Sequence, residues 1–340
     1  MMCRLLWRTV LALLVLSSAA QAQLQLARLF ADGAVLQRGA VLRVWGWATK
    51  GSTVSVSFAG QTVTTKTAPD GQWLLSLKPL EASSVSRALQ VKSGEESITV
   101  QDVLVGEVWF AAGQSNMEMT MHAAATYSGG ECEQVPVIVD SQIDARKQIL
   151  KATDPQLRFF KLNGPQSPLG PAAKISVRYA WRACKAAASL RDHESTASFS
   201  GVAYYFAKRL REQLGVPVGV LDISVGGTTV QAWQSKESLA RVPRGAEYVA
   251  EWEAKAKAFA PKRQALQDQF AAALKVWEKS DRKGRRPEEP RDPLKSRSFP
   301  ATFYNGVFAP IRHATVRGTI WYQGENNYYQ DLGEEHESDN

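Results

Sequence analysis

The sequence predicts an α/β protein in two parts, a small β-sandwich followed by a parallel sheet whose strands end in polar, glycine-containing tips. Three observations carry this. Residues 24–103 alternate apolar and polar side chains with the period of a strand. Beyond residue 103, apolar runs are followed by helical patterns rather than by tight turns, which is the order of a parallel sheet. Three of those runs close in GQSNM (113–117), SVGGTT (224–229) and WYQGENN (321–327), and ligands of open α/β sheets bind beyond the carboxyl ends of the strands.

The chain opens with a targeting pattern. Arg4 and Arg8 flank the start, residues 10–16 are apolar, and Ala20-Gln21-Ala22 offers small residues for cleavage. The apolar run is too short to span a bilayer, so residues 1–22 are expected to be a signal peptide. The mature protein is then expected to be secreted or periplasmic, with no membrane segment after cleavage.

The β-sandwich is expected over residues 23–104. In GSTVSVSF (51–58), Val54, Val56 and Phe58 face one way and Thr53, Ser55 and Ser57 the other. Pro69-Asp70-Gly71 is a turn signature. Trp73, Leu75 and Leu77 alternate again, and Leu89 and Val91 are expected to pair with Ile98 and Val100 across Gly94-Glu95.

Residues 105–340 read as the α/β part. Strands are expected at 103–112, 218–224 and 316–322, and a helix at 202–214 with Val202, Phe206 and Leu210 on one face. Residues 240–298 read as a helical insertion. Tyr248, Trp252 and Phe259 form one stripe, Leu266, Phe270, Leu274 and Trp277 a second, and Pro261 between them points to a kinked helix or a helical hairpin.

Composition excludes several functions. The formal charge of the 340 residues is +8, and +6 without Arg4 and Arg8. Residues 241–300 alone hold 15 Lys/Arg against 9 Asp/Glu, so the basicity is local and nucleic acid is not an expected partner. Cys132 and Cys184 remain after signal removal, as a disulfide or as two separate buried thiols. No CxxC or His/Cys cluster points to a metal, and no cofactor is expected.

The three strand ends carry the groups needed for acyl transfer. A serine hydroxyl attacks a carbonyl carbon, and fixed N–H donors stabilise the oxyanion, each worth about 10²–10³ in rate. Ser115 is the candidate nucleophile, although Ser between two amides is also an ordinary turn residue. Gly227 is a candidate backbone donor, and Gln323, Asn326 or Asn327 a side-chain donor. Met117 stands where the G-x-S-x-G elbow of α/β-hydrolases needs glycine, which rejects that arrangement.

GEVWFAAGQSNMEM, VGGTTVQAW and RGTIWYQGENN resemble the ordered blocks of the SGNH (GDSL-like) hydrolases, and more narrowly of the sialate O-acetylesterase group. LFADGAVLQR and VWGWATKGSTVSV are similar to the N-terminal part of that group, and FPATFYNGVFAPI to the segment before its third block. The resemblance implies an SGNH-hydrolase-like sheet and a serine carbohydrate O-acetylesterase without cofactor, acting on an O-acetylated carbohydrate, either sialic acid or a polysaccharide. It implies Ser115 as nucleophile and first oxyanion donor, Gly227 as second donor, and a third-block amide, Gln323 or Asn327, as third. Asn326 stands where the family has Ser.

The family's last block, Asp-x-x-His, has no match. The residues three before His122, His193, His313 and His336 are Met119, Leu190, Pro310 and Gly333. The sheet is therefore expected to be incomplete at its C-terminal side and turnover to be weak. The alternative reading is a truncated, catalytically inactive remnant that keeps a glycan-binding cleft; a purely structural module is the third. Trp233, Trp321 and Tyr322 serve as sugar-stacking faces or as plain core.

Overall fold

The computed structural model describes residues 23–126, 136–162, 164–175 and 180–327. The expected signal segment, Cys132 and His336 lie outside these residues.

The N-terminal strands follow their alternation. They are β1 (Gln25–Leu26), β2 (Val35–Gln37), β3 (Leu42–Trp47), β4 (Thr53–Phe58), β5 (Gln61–Lys66), β6 (Gln72–Leu77), β7 (Ser83–Ser93) and β8 (Glu96–Gly113). β1, β3 and β6 form a small antiparallel sheet. Its Val44, Trp73, Leu75 and Leu77 share one core with Val54, Val56 and Phe58 of β4 and with Leu89 and Val91 of β7. Each such side chain contributes about 1.5–3 kcal/mol on burial. The β4–β5 turn has positive φ at both Ala59 (48°) and Gly60 (78°), the form that matches strand twist in a two-residue hairpin. Across the β7–β8 turn, Leu89 faces Val100 and Val91 faces Ile98, as expected.

β8 joins the two parts of the chain. Its first half pairs antiparallel with β7, and its second half pairs parallel with β11 (Val218–Asp222) and with β12 (Gly318–Tyr322). The three expected strands thus lie in one sheet, with β11 and β12 both on β8. β9 (Asp154–Lys161) runs parallel beside β11, and β10 (Arg182–Cys184) closes that edge antiparallel. Sandwich and α/β regions therefore share one mixed sheet, nine-stranded among the described residues.

Eight α-helical segments surround the described parts of the sheet: α1 (Ser115–Glu118), α2 (Met121–Thr126), α3 (Pro136–Lys151), α4 (Gly201–Leu214), α5 (Lys236–Leu239), α6 (Gly245–Phe259), α7 (Arg263–Lys279) and α8 (Ala309–Ile311). α4 appears where expected, but its inward face is turned. Ala203, Tyr204 and Ala207 are its buried residues, while Val202 is 40% exposed. The two alanines let the helix lie close on β11, with Phe206 and Leu210 partly buried at the side of the same cluster. A count of large apolar residues misses this, because the closest packing is made by the smallest side chains.

The 245–279 region is two helices separated by a 3₁₀ turn at Ala260–Lys262, which contains Pro261. α6 is tied to the chain that follows α7: the Tyr248 hydroxyl donates to the Ser298 carbonyl at 2.7 Å, and Trp252 meets Phe299 edge-on. α7 has no fully buried residue. Its first turn is held by Arg263, which forks onto both oxygens of Asp292 at 2.6 and 3.1 Å. That hydrogen-bonded guanidinium holds the Asp292 carboxyl below its usual range.

Midway along β8, Gly106 accepts a close crossing. A β-carbon there would stand 1.9 Å from the Pro217 carbonyl oxygen. Gly106→Ala should destabilise the fold by about 2–4 kcal/mol, since backbone must move. Gly60→Ala, which meets nothing within 4 Å at its φ of 78°, should cost only about 1 kcal/mol from the left-handed backbone. Urea unfolding of both variants measures the difference; equal losses would show that the crossing does not constrain β8.

Candidate active site

The site lies past the carboxyl ends of β8, β11 and β12. Gly113 and Tyr322 are register partners, and Asp222 is level with Ala111. Gly113 has φ of 144°, and a β-carbon on it would stand 2.0 Å from the Tyr322 carbonyl oxygen. Only glycine lets β8 turn sharply here while β12 remains in contact.

Ser115 opens α1 and is exposed. The residues around it face inward. Gln114 is 1% exposed; its amide oxygen accepts from the Gly324 and Asn326 backbone N–H groups at 3.2 and 3.5 Å. Asn116 donates through Nδ2 to Glu325 Oε1. Met117 is buried, and its carbonyl accepts from Ser200 Oγ at 2.6 Å. Ser200 Oγ also caps α4 by accepting from the Ala203 N–H at 3.2 Å. The serine turn is thus bound on one side to the third block and on the other to α4.

The second block comes from β11. Buried Asp222 accepts from the Ser224 N–H at 3.1 Å and lies 3.6 Å from Lys161 Nζ. The Val225 N–H then donates to the Gly113 carbonyl at 3.0 Å, which brings SVGGTT level with GQSNM. Glu118 Oε2 accepts from the Gly226 N–H at 2.6 Å. A β-carbon on Gly226 would lie 2.8 Å from that oxygen and 3.6 Å from Ser115 Cβ, so the glycine backbone runs directly beside the serine. Gly227 follows with φ of 70°. Arg297 Nη1 donates to the Gly226 carbonyl at 2.9 Å.

The third block closes the ring. Asn327 Oδ1 accepts from Gln323 Nε2 at 2.6 Å and from the Val230 N–H at 3.0 Å. Asn327 Nδ2 donates to Gln231 Oε1 at 2.8 Å. Gln323 Nε2 also reaches the Thr228 carbonyl at 3.3 Å. The structure therefore links Ser115, the Gly226-Gly227 pair, Gln323 and Asn327 through neighbouring segments. Both third-block amides are engaged with the second-block loop.

The histidines divide plainly. His313 lies edge-on to Trp45 at 5.8 Å, before the amino end of β12 and away from the strand tips; burial first, then Arg312 and Arg43, keep its imidazole below its ordinary pKa. His193 offers its carbonyl to Arg182. His122 lies on α2, with a buried Nδ1 that has no hydrogen-bond partner. Among the described residues, no imidazole is hydrogen-bonded to the Ser115 hydroxyl.

Trp233 belongs to the core. It stacks on Phe303 at 5.0 Å, and its Nε1 donates to Thr228 Oγ1 at 2.9 Å. Trp321 and Tyr322 remain 42% and 47% exposed. Cys184 is a buried free thiol, 3.2 Å from Thr196 Oγ1 and shifted upward in pKa by its burial. Among the described residues, no three of His, Cys, Asp or Glu cluster to hold a metal ion, and no helix is long and apolar enough to cross a membrane.

Sequence reading missed Gln114, Glu118, Ser200, Glu325 and Arg297. Gln114 and Glu118 lie inside the first block, and their polarity so close to a buried strand end was the available signal. Ser200 and Arg297 lie outside the three blocks and carried none.

No family model matches the chain. The sialate O-acetylesterase of Rattus norvegicus is 28% identical over 316 residues, which cover 88% of this chain and 52% of that protein. The sialate O-acetylesterase of Homo sapiens is 26% identical over 317 residues, covering 88% and 48%. Among solved structures, a carbohydrate acetylesterase from Xanthomonas citri matches with a TM-score of 0.62 at 29% identity, over 89% of this chain and 52% of that one. The chain spans about half the length of the curated relatives it matches. The resemblance seen in the three blocks thus extends along most of the chain.

Asn327→Ala should destabilise the protein by about 1–3 kcal/mol, because it strips a partner from Gln323, the Val230 N–H and Gln231 at once. Asn326→Ala, whose side chain enters no hydrogen bond among the described residues, should change stability by less than about 0.5 kcal/mol. Chemical unfolding of the pair decides it. Indistinguishable midpoints would mean that the amide network does not hold the loop.

Proposed function

We propose that the protein is a serine carbohydrate O-acetylesterase that releases acetate from O-acetylated sugars. The observation that carries this reading is the convergence of three strand ends around an exposed serine whose neighbours are all fixed. The names of the relatives support it, and the alternative of an inactive remnant gains no support from them.

In this reading Ser115 Oγ attacks the acetyl carbonyl carbon. The bond to the sugar oxygen breaks, the sugar leaves as its alcohol, and water then cleaves the acetyl-serine to acetate. The Ser115 and Gly227 N–H groups take the oxyanion. Of the third-block amides, Gln323 is the better third donor. Its 3.3 Å bond to the Thr228 carbonyl is the longest in that network and the easiest to exchange for an oxyanion. Asn327 holds three shorter partners and acts as the brace. The proton lost by Ser115 Oγ ends on the departing sugar oxygen, and the sequence supplies no Asp-x-x-His to carry it. Trp321 and Tyr322 are exposed but consecutive on β12 and so point to opposite faces, which leaves one of them to carry a sugar face at the rim.

The same reading takes residues 1–22 as a cleaved signal, 23–104 as the sandwich part and 105–340 as the esterase part, working outside the cytoplasm. Amino-terminal sequencing of exported protein that begins at Gln23 supports the signal; an uncleaved Met1 sinks it.

Acetate release from an O-acetylated sugar should depend on Ser115. Loss of the nucleophilic serine costs on the order of 10⁶ in kcat where the full triad is present; with no Asp-x-x-His in the chain the parent turnover should be weak, and Ser115→Ala should remove what there is of it. Gly227→Ala should lose activity too, since its φ of 70° is a conformation that a side chain strains, and the loop would shift to relieve it. Turnover that survives in Ser115→Ala would end the proposal.

A further inference from the structure

We infer that Arg297 is a specificity-determining residue of this site, a prearranged cation that receives the carboxylate of an acidic sugar; this rests on the esterase reading above. Its guanidinium lies along the glycine pair that borders the nucleophile. Nη1 donates to the Gly226 carbonyl at 2.9 Å. Nη1 and Cδ stand 3.4 and 3.6 Å from the place a Gly227 β-carbon would take, while a Gly226 β-carbon would stand 3.6 Å from Ser115 Cβ. Two consecutive residues therefore touch the serine on one side and the arginine on the other. A sugar whose acetyl group sits at Ser115 extends towards Arg297 across those glycines, with no side chain of theirs to intervene.

A guanidinium carries five N–H donors in a fixed fork, and here the Gly226 carbonyl engages one nitrogen. Arg297 forms no ion pair among the described residues and is exposed. On the other side of Gly226 stands Glu118, whose Oε2 is engaged by the Gly226 N–H. Glu325 accepts from Asn116 through Oε1, and its Oε2 is buried without a partner among the described residues. The fork thus has free edges at the rim, which suits bidentate capture of a carboxylate.

The backbone that carries Arg297 is held in place. The adjoining Ser298 carbonyl accepts from Tyr248, Phe299 is buried against Trp252, and the Ala301 N–H donates to the Gln231 carbonyl at 3.0 Å. An exposed cation on anchored backbone differs from a free surface arginine, because less conformational freedom is lost on binding. The basic 241–300 segment, with 15 Lys/Arg to 9 Asp/Glu, adds a local positive field of the same sign.

The test is equilibrium binding of a deacetylated sialate, as the free acid and as its methyl ester, to the full protein. The wild type should bind the free acid about tenfold or more tightly than the ester, as expected for a charge-assisted hydrogen-bonded pair, and the preference should shrink with added salt. Arg297→Gln keeps a donor for the Gly226 carbonyl and removes the charge; it should bind both forms equally. Arg297→Lys should keep part of the preference. Thermal melts of each variant establish that it is folded. A preference that survives Arg297→Gln, no preference in the wild type, or no measurable binding of either form would overturn the inference. Ser115→Ala should keep the preference, so loss of turnover and loss of anion recognition are separable. An Arg297-dependent preference without Ser115-dependent acetate release would sink the esterase reading alone.

Discussion

The structure depends on one strand doing two jobs. β8 runs from Glu96 to Gly113, 18 residues against the ordinary handful. Its first half is the antiparallel partner of β7, and its second half is the central parallel strand between β11 and β12. A strand shared in this way fixes the alternation of both regions at once, because slipping it by one residue would reverse every inward side chain on either side. Gly106 and Gly113 are the two points where neighbouring backbone comes too close for any β-carbon. One lies where the strand passes Pro217, and the other at the tip where the chain leaves for Ser115.

Much of this was legible from residues alone, because strand alternation and buried runs are written in large side chains. Val54, Val56 and Phe58 could only be the inner face of a strand, and the Leu89–Val100 pairing followed from the turn between them. The fusion of the two sheets through β8 was not legible, since a continuous apolar run reads alike at a sheet centre and at a boundary between layers. The inner face of α4 was not legible either. Its contact is made by Ala203 and Ala207, which carry too little surface to stand out in a pattern.

The three polar blocks were visible as strand ends, and their order carried the family resemblance, which the comparisons extend along most of the chain. What joins them was invisible. Gln114 stood out only as one of the two amides that flank the serine. It is buried and belongs energetically to the third block, where it accepts from two backbone N–H groups about 210 residues away. Glu118 spans to Gly226 across 108 residues. Such contacts depend on which strand ends become neighbours, and no local spacing contains that information.

These tethers also explain why the serine itself is left alone. Every residue from Gly113 to Met119 other than Ser115 has its backbone or side chain engaged with another segment: Gly113 with Val225, Gln114 with Tyr322 and the third block, Asn116 with Glu325, Met117 with Ser200, Glu118 and Met119 with the second block and Gly201. The Ser115 backbone carbonyl is used only within its own turn, by the Met119 N–H at 2.8 Å. Among the described residues the Ser115 hydroxyl enters no hydrogen bond, so the serine is placed by the bonds of its neighbours rather than by its own. In the esterase reading proposed above, a frame of this kind lowers the cost of orienting the serine before attack, while activating the hydroxyl is a separate task that falls to a proton acceptor.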